Sequence, residues 1–103
     1  MIGRVWRGWT TAELAPRYVA HLRDETFPAL AGIDGHDGAY ALQREEDGEV
    51  EFVVLTLWRS LDAVRAFAGD DFEAAVVPPA AERVLTRFEG RVAHYEVALK
   101  GEG

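Results

Sequence analysis

Three histidines and three tyrosines are the side chains of this 103-residue chain best suited to proton chemistry, and there is no cysteine. His21 is the leading candidate acid or base. It lies one helical turn from Tyr18 and beside Leu22, so a helix carrying it would bring an imidazole that titrates near neutrality to the edge of an apolar face. There it would take a phenolic or enolic proton; the alternative is a partly exposed helix histidine without a role. His36 lies in a glycine-rich stretch and His94 alternates with Tyr95 on a final strand, where it would face a subunit seam. The three imidazoles have no metal-ligand spacing with one another or with paired carboxylates, and no metal site is expected. Tyr18 and Tyr40 are candidates to orient a ligand carbonyl or hydroxyl. Trp6, Trp9 and Trp58 either fill a small core or wall a cavity for a flat ligand, and Trp58 reads as core. Arg7 and Arg87 would meet an anionic ligand or, more simply, surface carboxylates. Glu45-Glu46-Asp47 reads as a solvated hairpin tip, and Asp70-Asp71 as a cap on a short following helix.

The elements that must position these residues follow from hydrophobic period and turn chemistry. Ile2 to Trp9 reads as a first strand with Ile2, Arg4 and Trp6 on one side. Leu14, Tyr18, Leu22 and Thr26 recur every fourth residue, predicting an amphipathic helix to about residue 26 with Pro16 in an irregular first turn. "FPALAGIDGHDG" reads as a loop; its glycines fit neither the dinucleotide nor the P-loop spacing. Ala39 to Arg44 and Val50 to Trp58 read as strands joined at Asp47-Gly48. Ser60 caps a second helix from Leu61 to Ala68, and Gly69 ends it. Short helical pieces are expected around Phe72 to Val77 and within Ala80 to Phe88, and Arg91 to Leu99 closes the chain as a fourth strand.

This order is the βαββαβ of ferredoxin-like α+β folds: an antiparallel four-stranded sheet with both helices on one face. The other face has no cover, yet the strand ending at Trp58 does not alternate. Val53, Leu55 and Leu57 point one way while Phe52, Val54, Thr56 and Trp58 point the other. At roughly 1.5–3 kcal/mol for each large side chain, that is too much to leave wet. A second copy is the simplest cover, so a homodimer is expected.

Composition supports a single domain over residues 1–103. The 18 acidic residues against 11 basic give a net charge of about −7, with no basic stripe for nucleic acid and nothing to attract an anionic membrane surface. No uncharged stretch approaches the ~20 residues of a membrane span. Arginines occupy the place of a signal-peptide core, and a cytoplasmic location is expected.

"LTLWRSLDAVRAFAG", the βαββαβ order and the closing "VAHYEV" resemble the antibiotic biosynthesis monooxygenase domain, a family of the dimeric α+β barrel superfamily. The likeness runs from Ile2 to Val97, and its most specific part is the Trp58-Arg59-Ser60 step into the second helix. It implies a homodimer with a ligand pocket between sheet and helices in each subunit, with Trp6 and Phe67 among the ligand-binding residues. The haem-degrading branch of that superfamily needs an Asn, a Trp and a His. Trp6, Phe67 and Val76 or Val77 stand in their places here. No axial iron ligand is evident in that segment.

The expected function is therefore that of a cofactor-independent monooxygenase acting on a small aromatic, polyketide-like or phenolic substrate. His21 would be the base, Tyr18 or Tyr40 the hydrogen-bond donor, and Trp6 and Phe67 the walls. Two other readings remain on this scaffold. One is an isomerase or cyclase; the other is a non-catalytic dimeric protein binding a small hydrophobic molecule.

Overall fold

The computed structural model describes residues Met1–Gly103. Its elements are β1 (Ile2–Thr11), α1 (Ala15–His21), a π-helical turn (Leu22–Thr26), α2 (Phe27–Ala31), β2 (His36–Glu46), β3 (Glu49–Trp58), α3 (Leu61–Ala68), α4 (Pro79–Glu82), β4 (Arg87–Phe88) and β5 (Ala93–Glu96). The sheet order is β2-β3-β1-β4, with β5 also paired to β1. All pairings are antiparallel. This is the ferredoxin-like α+β fold read from the sequence. The expected last strand differs: the edge beside β1 is made in two pieces, β4 and β5.

The β2–β3 hairpin turns at Asp47 and Gly48, both with positive φ (54° and 80°). Adjacent positive φ values match the strand twist in a two-residue turn, and Asp-Gly tolerates them at least cost. Ser60 caps α3 by accepting a hydrogen bond from the Ala63 amide at 3.2 Å, which satisfies one of the orphan donors of the first turn. Gly69 terminates the helix at φ 89°.

Two expectations are corrected. "FPALA" is not loop: the helix runs on through Phe27–Ala31. Proline lacks an N–H, and its ring crowds the carbonyl four residues back. The π-helical turn before Pro28 accommodates this by widening, with the Phe27 amide donating to the Leu22 carbonyl. Phe72 to Val77 is not helical either. Ala74 instead forms a bridge with Arg91, the chain reaches Pro78 in an extended conformation, and α4 begins at Pro79.

All helices lie on one face of the sheet, which carries the core. Val50, Phe52, Thr56 and Trp58 of β3 are buried there. Phe52 packs with Tyr18, Leu22, Ala81 and Leu85; Trp58 packs with Leu30, Ala63 and Val64. The Trp58 indole N–H donates to Thr56 Oγ1 at 2.8 Å, and its ring stacks on Phe67. A buried indole with its donor satisfied is core, as its sequence position indicated. The helix-free face carries Val5, Val53, Leu55, Leu57, Leu42, Tyr40 and Tyr95, placed together by the pairings Val5↔Leu55, Tyr40↔Leu55 and Leu42↔Val53. Tyr40, Leu42 and Tyr95 are each more than half exposed in the single chain.

Gly35 fixes the junction between α2 and β2. Its φ is 90°, and a Cβ added there would lie 2.5 Å from the Ala63 Cβ of α3. Gly48 has a similar φ but open space around it. Gly48→Ala should therefore cost only the backbone strain, about 1 kcal/mol. Gly35→Ala adds a clash with α3 and should cost at least twice as much. Urea denaturation of the two variants measures the difference; equal costs would mean that the contact between position 35 and Ala63 of α3 yields freely.

Candidate functional site

Between the sheet and the helices lies a cavity of about 420 Å³ lined largely by apolar side chains. That volume falls in the range of small-ligand sites. The sheet supplies Arg4, Trp6, Val54 and Thr56, α3 supplies Phe67, and the 76–81 segment forms the opposite wall. The helical wall is made by Tyr18, His21, Leu22, Glu25, Thr26, Ala29, Leu30 and Ile33. These recur as two rows of every fourth residue. In an uninterrupted helix of 3.6 residues per turn such rows drift around the axis. The wider π-helical turn takes up that drift and keeps both rows on the cavity.

His21 occupies the helical wall with its side chain about one-tenth exposed. Its Nδ1 lies 2.8 Å from Glu25 Oε2. A carboxylate only accepts, so Nδ1 carries a proton; the tautomer with that proton alone presents Nε2 as a lone pair. That Nε2 is buried and has no partner in the protein. Tyr18 is buried beside it, with ring centroids 6.3 Å apart, and burial pushes its phenol well above the usual tyrosine value. Tyr18 therefore stays protonated and can only donate to an anion. Trp6 lies across the strand over Gly8, whose missing Cβ leaves room: an added Cβ would sit 2.6 Å from the ring. Its indole N–H donates to the Glu89 carbonyl at 2.8 Å, so its π-face, not its polar edge, is what it offers a ligand.

Of the residues singled out from the sequence, the structure brings His21, Trp6, Tyr18 and Phe67 to one cavity. Tyr40 is not among them. Strand parity puts it opposite Leu55 on the helix-free face, 59% exposed. Arg7 and Arg87 do not line this cavity either. Arg7 pairs with Glu51, while Arg87 pairs with Glu49 and stacks on Trp9. His94 is corrected as well: its pairing with Arg4 turns it to the helix side, and Tyr95 takes the outer face. The sequence reading missed Glu25 and Arg4. The i,i+4 spacing from His21 and the strand parity shared with Trp6 are the signals that carry them.

Arg4 is about 5% exposed. Its guanidinium donates to the Phe72 and Ala74 carbonyls and to His94 Nε2 at 3.0 Å. The accepting Nε2 makes His94 a neutral ring protonated at Nδ1, an atom buried without a partner. Burial first, and the Arg4 charge second, hold His94 below the usual imidazole range, with Glu73 opposing. Burial likewise lowers His36, against Asp37. The three histidines stand apart on α1, β2 and β5, and no three His, Asp or Glu residues gather as a metal-binding group. No helix is long and apolar enough to cross a membrane.

No family model matches the chain. Two uncharacterized proteins of Mycobacterium tuberculosis, from strains CDC 1551 and H37Rv, are each 33% identical to it over 96 residues, 87% of this chain. The chain spans only 37% of their length. Among solved structures, a Bacillus cereus protein assigned as an antibiotic biosynthesis monooxygenase superposes with a TM-score of 0.70 at 16% identity, covering 100% of this chain and 96% of that one. The haem degrader MhuD of Mycobacterium tuberculosis, solved with two haems in its active site, gives 0.67 at 20% identity over 99% and 100% of the two chains. The class is therefore α+β with ferredoxin-like topology. Within that class, the fold is the one found in the antibiotic biosynthesis monooxygenase-like proteins.

The positions expected to carry a haem degrader's Asn, Trp and His do face the cavity here, as Trp6, Phe67 and Val76 with Val77. Indole, phenyl and isopropyl groups offer iron no ligand. The residues at these positions do not fit a haem held in that way.

The partly buried His36 and His94, both shifted down, tie stability to pH. Both folded-state values lie below the unfolded value of about 6.5, so below that pH the unfolded chain binds more protons. Their contribution is complete above pH ~6.5 and is lost as pH falls through that value toward the folded ones. Melting temperature should drop between pH 7.5 and 5.5. A His36→Gln/His94→Gln variant should show a flatter profile over the same window, and an unchanged slope would show that neither ring is responsible.

Proposed function

We propose that residues 1–103 form one domain that acts as a cofactor-independent monooxygenase on a small flat aromatic or phenolic substrate held between sheet and helices. The observation that carries this reading is His21: a buried, unpartnered Nε2 on the cavity wall, oriented through Nδ1 by Glu25. A substrate C–H or O–H acidified by an aromatic ketone or phenol gives its proton to Nε2. The protonated Tyr18 then donates to the resulting anion. Such an anion passes an electron to dioxygen, the two radicals combine at carbon, and loss of water from the hydroperoxide leaves a carbonyl. A CH₂ group supplies the four electrons and both hydrogens of the water; one oxygen atom enters the product. Water-poor apolar walls suit this chemistry, because they keep the anion from being reprotonated.

The same scaffold without oxygen would serve an isomerase or cyclase, and without turnover a binding protein. Anthrone or a naphthohydroquinone tests the three readings together. Oxygen uptake stoichiometric with product, reduced at least a hundredfold by His21→Ala and partly by Glu25→Gln, is expected. Uptake equal in wild type and His21→Ala would remove the base. Ligand-induced stabilisation without turnover would support the binding protein.

The apolar helix-free face supports a homodimer in which two sheets pack against each other through Tyr40, Leu42, Val53 and Leu55. The dimer would also bury the tyrosine that the cavity does not use. Sedimentation equilibrium at micromolar concentration should return twice the chain mass, and Leu42→Glu should return the monomer. A wild-type monomer would overturn this assembly.

A further inference from the structure

The cavity has one fixed charge that the chemistry above leaves idle. Arg4 is the only lysine or arginine lining it, and the guanidinium takes part in none of the molecule's ion pairs. Its hydrogen bonds go to two backbone carbonyls and a neutral imidazole. Its Cζ lies over the Phe67 ring, 5.6 Å from the centroid. These contacts hold the group rigidly and use three of its five N–H donors, but none of them neutralises it. A buried charge is ordinarily paired with an opposite one; burial lowers the Arg4 value, and a guanidinium keeps its charge in proteins.

We propose that Arg4 is the counter-charge for a ligand carboxylate, so that the cavity selects an aromatic acid over its neutral counterpart. The proposal rests on the reading of the cavity as a flat-ligand site and adds the substrate class to it. Two properties favour a carboxylate. A guanidinium with two N–H donors left matches the spacing of carboxylate oxygens, and a carboxylate is ionised at the pH where a simple phenol is not. Glu25 also lines the cavity and bears a like charge, but its side chain is two-thirds exposed and paired to His21. Solvent screens Glu25 while burial leaves Arg4 unscreened, so Arg4 dominates the field inside. The held aromatic ring would then lie along Phe67 and Trp6, with the acid at β1.

Isothermal titration calorimetry of the wild-type protein at pH 8, where imidazoles are neutral, tests this with 2-naphthoate and the neutral isostere 2-naphthamide. The expected result is at least tenfold tighter binding of the acid. Arg4→Gln, checked for folding by circular dichroism, should remove that preference, while Arg4→Lys should keep part of it. Because Arg4 also ties β1 to the 72–74 segment, the wild-type comparison stands alone if either variant fails to fold. Equal affinities in the wild type would overturn the selectivity while leaving a flat-ligand cavity. Binding of neither compound would overturn both. A preference for the acid that persists in a folded Arg4→Gln variant would assign the selectivity elsewhere and overturn the role of Arg4.

Discussion

Strand β3 is apolar on both faces, and the rest of the molecule is arranged around that fact. Phe52, Thr56 and Trp58 anchor the helices on one side, while Val53, Leu55 and Leu57 lie on the other. The helical layer is not wide enough to fill its side completely. Trp58 with Val64 and Leu30 forms one cluster, Phe52 with Tyr18 and Leu85 another. The cavity opens along the seam between them. A domain of this size has little apolar mass to spare, so space left unfilled beside two compact clusters is itself informative.

What lines that space is chemically sorted. The helical wall brings an imidazole with one nitrogen engaged and the other free, beside a phenol that burial keeps protonated. The sheet brings aromatic surface and one fixed cation. The π-helical turn makes this sorting possible, since it holds residues spaced by four in register with the cavity and lets the helix pass Pro28. A regular α-helix through the same segment would let both rows drift around the axis by about 40° at each four-residue step.

The shared fold fits this picture without dictating it. The superposed structures include a haem degrader and a protein assigned as an antibiotic biosynthesis monooxygenase, at 16–20% identity. A shared fold does not by itself fix the chemistry of the site. Here Trp6, Phe67, Val76 and Val77 line the cavity with indole, phenyl and isopropyl groups, which offer a metal no ligand.

Much of the architecture was legible in the sequence because it depends on local signals. Apolar and aromatic strand formers marked β1, an unbroken apolar run marked β3 and a four-residue recurrence marked α1; Asp47-Gly48 marked the hairpin, and Ser60 and Gly69 bounded α3. Strand parity grouped Trp6 with Ile2 and Arg4, the resemblance implied that Trp6 meets the pocket, and helical spacing put His21 beside Tyr18. Other features depended on contacts distant in the chain, which local patterns do not encode. The last strand split because the 87–96 segment pairs with β1 in two separate registers. The helix continued through Phe27-Pro28 because a π-helical turn and packing of Leu30 against Trp58 outweighed the proline. Tyr40 left the site because its face is fixed by pairing with Leu55. Arg4 entered it because the Phe72 and Ala74 carbonyls, some seventy residues away, fold back to hold its guanidinium. The sequence determined which residues share a face; only the tertiary structure decided which faces meet, because that depends on side-chain volume and hydrogen bonding between segments far apart in the chain.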